Sequence, residues 1–233
     1  MQTPSNSRKQ QEIKARDGLI LSAANNLFAQ QGYHATTMQN IADTIGYSKG
    51  TIYQHYTSKE NVLAKLFIQC GETLLINIKK VIDAELDSRQ SILLITGIFL
   101  KHTREQPGVA GNVPLVQSPC FIAKLASDLQ QQIETSEQAI LALVFGLFSD
   151  CHGFDHNRVK AATFGWWSMQ SGVQNLMISG WDISVMGFKS PEEHAIESIN
   201  FYIDGLSIDS QQTHLSWSDV KLKMQNILDL STF

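Results

Sequence analysis

Proline, cysteine and long apolar runs are all scarce in this chain, and each scarcity excludes something. The five prolines leave residues 5–106 free of any, so helices there meet no proline break. No stretch of about 18 apolar residues occurs, so no membrane span is expected. The first residues, Met1 to Lys14, are polar and lack the apolar core of a secretory signal. Three widely spaced cysteines, Cys70, Cys120 and Cys151, make no disulfide framework, and a reducing cytoplasm is the simplest setting. A glycine-rich phosphate loop, a G-x-S-x-G elbow and an H-E-x-x-H helix are all missing. No enzyme activity, cofactor, catalytic residue or resident metal is therefore expected.

What is present is a globular composition, 43% hydrophobic and 17% charged over 233 residues. The formal net charge of -4 is unevenly spread. Residues 1–65 hold seven Lys/Arg against four Asp/Glu, a net of +3, and the remaining 11 basic and 18 acidic residues give -7. A basic head on an acidic body suits a polyanion partner.

The patterning is helical almost throughout, and the fold class expected is all-α. Ile13, Ile20, Ala23, Ala24, Leu27 and Phe28 recur at helical spacing up to Gln31, and Gly32 stands where a helix C-cap would. Gly18 inside that helix suggests a close contact or a kink. Thr37 caps a short helix, Met38–Ile45, with Met38, Ile41, Ala42 and Ile45 inward. Gly46 supplies the turn, and Ser48 caps a second short helix, Lys49–Tyr56. Tyr56 and Ile52 are expected in the core. Thr57-Ser58-Lys59-Glu60 fits a capping box on Thr57, opening a helix that carries Val62, Leu63, Leu66 and Phe67 on one face. Two short helices about a glycine turn, braced by longer ones, form a helix-turn-helix. Further helices are expected at 90–106, 119–128, 133–150, 156–179, 191–206 and 218–230, with breaks at Pro107-Gly108 and Ser118-Pro119. The loop from Gly180 to Ser190 carries Trp181, Val185, Met186 and Phe188 and is expected to pack down.

The second short helix begins with the groups a DNA reader needs. Ser48, Lys49, Thr51, Tyr53 and His55 are donors for phosphates and base edges, and Gln54 suits adenine. Gly50 lets a sugar-phosphate approach the backbone. Thr37 and Lys59 stand beside helix N-termini, where phosphate is favoured. Tyr47 follows the turn glycine and is a candidate to face DNA.

The ordered series Thr36-Thr37, Ile41-Ala42, Gly46-x-Ser48-Lys49-Gly50-Thr51-x-Tyr53 and Ser58-Lys59-Glu60 closely resembles the N-terminal domain of the TetR family. The resemblance runs from Ile13 to Leu66, about a quarter of the chain. It implies a three-helix DNA-binding domain at 1–66 and a larger helical ligand-binding and dimerisation domain at 67–233. The implied function is a ligand-responsive regulator, more commonly a repressor, whose homodimer binds a palindromic double-stranded operator. A small effector would move the helix that starts near Lys59 and so change the spacing of the two heads. Tyr47 departs from the small apolar residue usual in the family.

Beyond Leu66 the reading rests on patterns. Gly165 and Gly172 with Ala161, Ala162 and Ser168, and the stripe Ile196, Ile199, Ile203 and Leu206, are candidates for a dimer face. Phe99, His102, Phe121, Leu125 and Phe145 are candidates to line a pocket for an apolar or aromatic effector. Phe148, Phe164, Trp167 and Met169 join them. Asp150-Cys151-His152-Gly153-Phe154-Asp155-His156 matches no standard zinc spacing, and Asp155 reads as a helix cap. The other readings weighed are a helical interaction protein and a thiol- or metal-responsive regulator.

Overall fold

The computed structural model describes residues 4–151, 153–187, 189–206 and 215–228, with the backbone alone for 4–7 and 186. It is all-α, with no strand among the described residues. Two compact units divide the chain: Met1–Cys70 with Gln106–Ile133, and Gly71–Glu105 with Glu134–Phe233.

The first unit is built on α1 (Pro4–Ala35), α2 (Met38–Ile45), α3 (Lys49–His55) and the opening turns of α4 (Lys59–Asp83). The apolar stripe of α1 buries Ile20, Ala23, Ala24 and Phe28, while Ile13 is 46% exposed. The buried stripe therefore starts at Ile20. Gly18 neither touches a neighbour nor bends the helix. The break falls at Gly32, whose φ of +82° favours glycine. Ile41, Ala42, Ile52, Tyr56, Val62, Leu63 and Leu66 close the core around α1.

Residues 106–133 fold with this head. The expected breaks are three one-turn helices, α6 (Pro107–Ala110), α7 (Val113–Val116) and α8 (Pro119–Ile122), each with proline in its first two positions. The single helix expected over 119–128 is thus split, and α9 (Ser127–Ser149) starts six residues earlier than expected. α6 lies directly on α1. A Cβ built at Gly108 would overlap the Asn25 backbone carbonyl, and the Val109 amide donates to Asn25 Oδ1 at 3.2 Å. Phe121 reaches the Tyr33 ring, centroid to centroid 6.3 Å.

The second unit is centred on α5 (Ser88–Glu105), buried at every residue from Ser91 to Leu100. A helix apolar all round is a core helix. It packs against α10 (His156–Ser179), α11 (Pro191–Gly205) and α12 (Trp217–Leu228). Asp155 caps α10 through the Arg158 amide at 2.8 Å, and Ser190 caps α11 ahead of Pro191. α12 seats Val220 and Met224 on Gly97, where a Cβ would come within 2.8 Å of Val220 Cγ1. Buried Arg89 pairs with Asp204 and donates to Asn200 Oδ1 at 3.1 Å. The loop after α10 differs from expectation. Ile183 is its buried residue, whereas Trp181 is 50% and Val185 72% exposed; Phe188 and the Met186 side chain lie outside what is described.

Candidate nucleic-acid interface

α2 and α3 are short, so their ends decide whether they hold. Thr37 Oγ1 accepts from the Asn40 amide at 3.1 Å, and the Thr37 amide donates back to Asn40 Oδ1 at 2.9 Å. This is a capping box with asparagine in the place of glutamate. Gly46 ends α2 in the left-handed conformation, φ +70°. Ser48 then caps α3, its hydroxyl accepting from the Thr51 amide at 3.1 Å and lying 2.9 Å from Thr51 Oγ1.

α3 buries only Ile52. Ser48, Lys49, Gly50, Tyr53 and Gln54 are exposed, Thr51 is half-buried, and Thr37 is exposed at the head of α2. The Lys49 ammonium stands 5.7 Å from the centre of the Tyr53 ring. Gly50 has an ordinary helical backbone, and a Cβ there would meet nothing nearer than Ser48 Oγ at 3.8 Å. Among the described residues nothing requires glycine at this position.

Lys59, His55 and the cap of α4 are held by their surroundings in ways that the local sequence does not indicate. Lys59 is turned inward: Nζ donates to the carbonyls of Tyr33 (2.6 Å), Thr36 (2.7 Å) and His34 (3.4 Å) and lies 4.2 Å above the Tyr33 ring. It neutralises the carbonyl end of α1, and burial lowers its pKa. His55 folds back onto α1, its side chain 9% exposed and Nδ1 3.7 Å from Asp17 Oδ1. Both side chains turn back toward α1. The cap of α4 is Ser58, which accepts from the Asn61 amide at 3.2 Å, not Thr57, whose hydroxyl accepts from the Asn61 side chain at 2.8 Å. Tyr47 is half-buried against the core, with the Arg16 guanidinium 5.3 Å from its ring.

The residue that sequence reasoning missed is Asp17. It accepts from the Tyr56 hydroxyl at 2.6 Å and faces His55, tying the end of α3 to α1. Burial and this carboxylate both raise the Tyr56 pKa. Asp17 and Tyr56 are 39 residues apart, so no local pattern announces the pair.

Residues 20–66 match the family model for bacterial regulatory proteins of the tetR family. Over that stretch the chain is similar to the TetR family. Among similar proteins is the HTH-type transcriptional activator FasR of Mycolicibacterium smegmatis. It is 26% identical over 153 residues, 64% of this chain and 66% of that one. The HTH-type transcriptional repressor KstR2 of Mycobacterium tuberculosis is 28% identical over 98 residues, 41% of this chain and 49% of the relative. The chain thus spans less than two thirds of either relative. A solved structure, the transcriptional regulator FadR from Bacillus subtilis in complex with stearoyl-CoA, superposes with a TM-score of 0.61 at 18% identity. It covers 80% of this chain and 97% of that one. That likeness is one of fold.

The candidate residues of the body sort by burial. Phe121 and Leu125 are buried in the first unit's core. Phe99, His102 and Phe148 are buried, and Phe145, Trp167 and Met169 half-buried, in the second unit. Phe164 is 73% exposed, because it lies on the face of α10 opposite α5, so it lines no enclosed cavity of the single chain. Phe99 stands edge-on to Trp166 and Trp167, 5.8 Å from each. The stripe Ile196, Ile199 and Ile203 is buried within the chain itself, and Gly165 makes room for the Tyr202 ring; these are core positions, not a surface. The exposed residues of α10 include Ala161, Phe164, Ser168 and Gly172, and Phe201 of α11 is 65% exposed.

Cys151 is buried, its thiol donating to the Leu147 carbonyl at 3.4 Å, and His152 lies outside the described residues. Among the described residues no group of three or more His, Cys, Asp or Glu side chains is placed to hold a metal ion. Burial pushes the Cys70 thiol up to about 11, away from the thiolate a redox sensor uses. No helix of the described residues is long and apolar enough to cross a membrane.

Proposed function

We propose that this chain is a ligand-responsive transcriptional regulator that binds a palindromic DNA operator as a homodimer. One observation carries the reading. α3 is fixed by Ser48, Ile52 and Tyr56, yet presents Lys49, Gly50, Tyr53 and Gln54 outward, with a glycine that its own chain does not need. A sugar-phosphate strand packed on Gly50 accounts for that glycine. Lys49, Tyr53 and the Ser48 and Thr37 ends supply phosphate contacts, and Gln54 and Thr51 face base edges. Lys59 and His55 are positioning groups in this reading.

A two-fold operator needs a two-fold reader, with recognition helices about 34 Å apart. Phe164 and Phe201, exposed on adjacent helices α10 and α11, supply the apolar centre of the dimer face. Ala161, Ser168 and Gly172 allow close helix approach there. An apolar or aromatic effector held in the second unit acts through α4, which carries residues of both units. It favours the conformation with lower operator affinity. The relatives include an activator and a repressor, and repression is the reading preferred. The cytoplasm is its setting.

The test is a salt-dependent binding titration of the purified protein on DNA from upstream of its own gene. The double variant Lys49→Ala with Tyr53→Ala is expected to weaken binding at least 30-fold. Its log–log salt slope should become shallower by about one. Unchanged binding in the double variant would remove α3 as the reading helix.

A further inference from the structure

The interface between α5 and α10 in the second unit is tied by two side-chain bonds. Trp166 Nε1 donates to Thr96 Oγ1 at 2.9 Å, and Gln174 Nε2 donates to Thr103 Oγ1 at 2.8 Å. Gln170 lies midway between them, on the same face of α10 at helical spacing. It is 3% exposed, yet neither Nε2 nor Oε1 meets a hydrogen-bonding partner among the described residues. Thr163, two turns earlier on that face and 4% exposed, also has an unpartnered hydroxyl. A buried amide with both ends unmade is costly, and native interiors seldom keep one without a use.

The surroundings say what would satisfy it. Phe99, Trp166 and Trp167 form an edge-on aromatic cluster beside this stretch. The charges of α5 are already engaged: Arg89 by Asp204 and Asn200, Arg104 by Glu192, Lys101 by Glu105. Burial pushes the His102 imidazole down to about 4, an effect that Lys101 augments and Glu105 opposes, so it is neutral near pH 7. A charged ligand group would have to compete with these pairs for a counter-charge, and burying it would be expensive.

We propose that Gln170 is the polar anchor of the effector site. The effector class is a planar, largely apolar molecule carrying one uncharged group with a donor and an acceptor side by side, of the lactam or carboxamide type. The amide's Nε2–H and Oε1 make the reciprocal pair of hydrogen bonds, and the Phe99–Trp166–Trp167 cluster supports the rings. This rests on the reading of the second unit as the effector domain.

The experiment uses the full-length protein and three two-ring probes: quinolin-2-one (a neutral lactam), quinoline (the same rings without it) and 2-naphthoate (an anion). Calorimetry is expected to show one quinolin-2-one per chain, bound at least 10-fold tighter than either other probe. Gln170→Met, close in shape, should abolish that preference while keeping quinoline affinity within 2-fold. It should also raise the melting temperature of the unliganded protein, since a buried amide without partners is removed. No lactam binding at millimolar concentration, a preference for naphthoate, a preference that survives Gln170→Met, or a lower melting temperature would each overturn the proposal. Operator binding is measured on the same samples. Its failure with the lactam preference intact would sink the regulator reading alone, and the converse would sink the Gln170 site alone.

Discussion

Gly50 and His102 show how one position can be tested against two roles. Glycine in a helix costs about 1 kcal/mol against alanine. At Gly50 the backbone is helical and a Cβ has room. Gly50→Ala is therefore expected to stabilise the fold by up to about 1 kcal/mol in urea titrations while weakening operator binding 10-fold or more. Unfolding and binding then move in opposite directions, which a packing role for Gly50 would not produce. His102 is buried and its pKa is lowered to about 4 from 6.5. The unfolded chain takes up its proton near pH 6.5 and the folded protein does not until about pH 4. The stability held by neutral His102 is present above pH 6.5, falls as pH drops through that window, and levels off below it. The loss is on the order of 3 kcal/mol. The difference in unfolding free energy between pH 7.5 and pH 5 should be smaller in His102→Gln than in the parent protein. Equal pH dependence in the two would show that another group titrates.

At the scale of elements, the structure turns on short helices held by ends and close contacts. α2 and α3 have 8 and 7 residues, too few to persist alone, and survive through the Thr37–Asn40 box, the Ser48 cap and the Asp17–Tyr56 bond. α6 has 4 residues and exists because Gly108 lets it lie against Asn25. Gly108→Ala pushes a methyl into the Asn25 carbonyl, which belongs to backbone and does not swing aside. A loss of about 2–3 kcal/mol in unfolding free energy is expected. A neutral result would mean that α6 is free to shift off α1. Much of this scale was legible beforehand. The bounds of α2 and α10 follow from Thr37, Gly46, Asp155 and Gly180. The Ser58 cap was misplaced by one residue because glutamate at 60 imitated a capping box on Thr57, whereas Asn61 fills the third helical position.

For the molecule as a whole, two exposed aromatic side chains stand where a second copy is proposed to dock. Phe164 is 73% and Phe201 65% exposed, on helices that pack together in the second unit. Phe164→Glu with Phe201→Glu is expected to convert a dimer to monomers in analytical ultracentrifugation while leaving helicity by circular dichroism unchanged. Operator affinity should fall by two orders of magnitude or more as the second half-site is lost. A double variant that still sediments as a dimer would place the interface elsewhere. Residues 106–133 belong, by packing, to the unit that holds α2 and α3, although they follow α5 in the chain. A sequence boundary at residue 66 and the compact units are therefore different divisions of the same protein.

The sequence by itself determined the helical class and the head. Periodicity, caps and turn glycines act within a few residues, and the spacing from Thr36 to Glu60 holds all of them. It also determined that α3 turns Ile52 inward and Lys49, Gly50, Tyr53 and Gln54 outward, because Ile52 is the one aliphatic residue at its centre. Tertiary structure alone decided the direction of Lys59 and His55, whose side chains meet carbonyls and a carboxylate more than 20 residues away. It decided that Ile196, Ile199 and Ile203 are core and Phe164 is surface, since a helical stripe shows which residues share a face but not what that face meets. It alone buried Gln170 on the face of α10 that meets α5, with no partner for its amide among the described residues. Partners brought from distant parts of the chain leave no periodic trace, so their presence or absence appears only when the helices are packed.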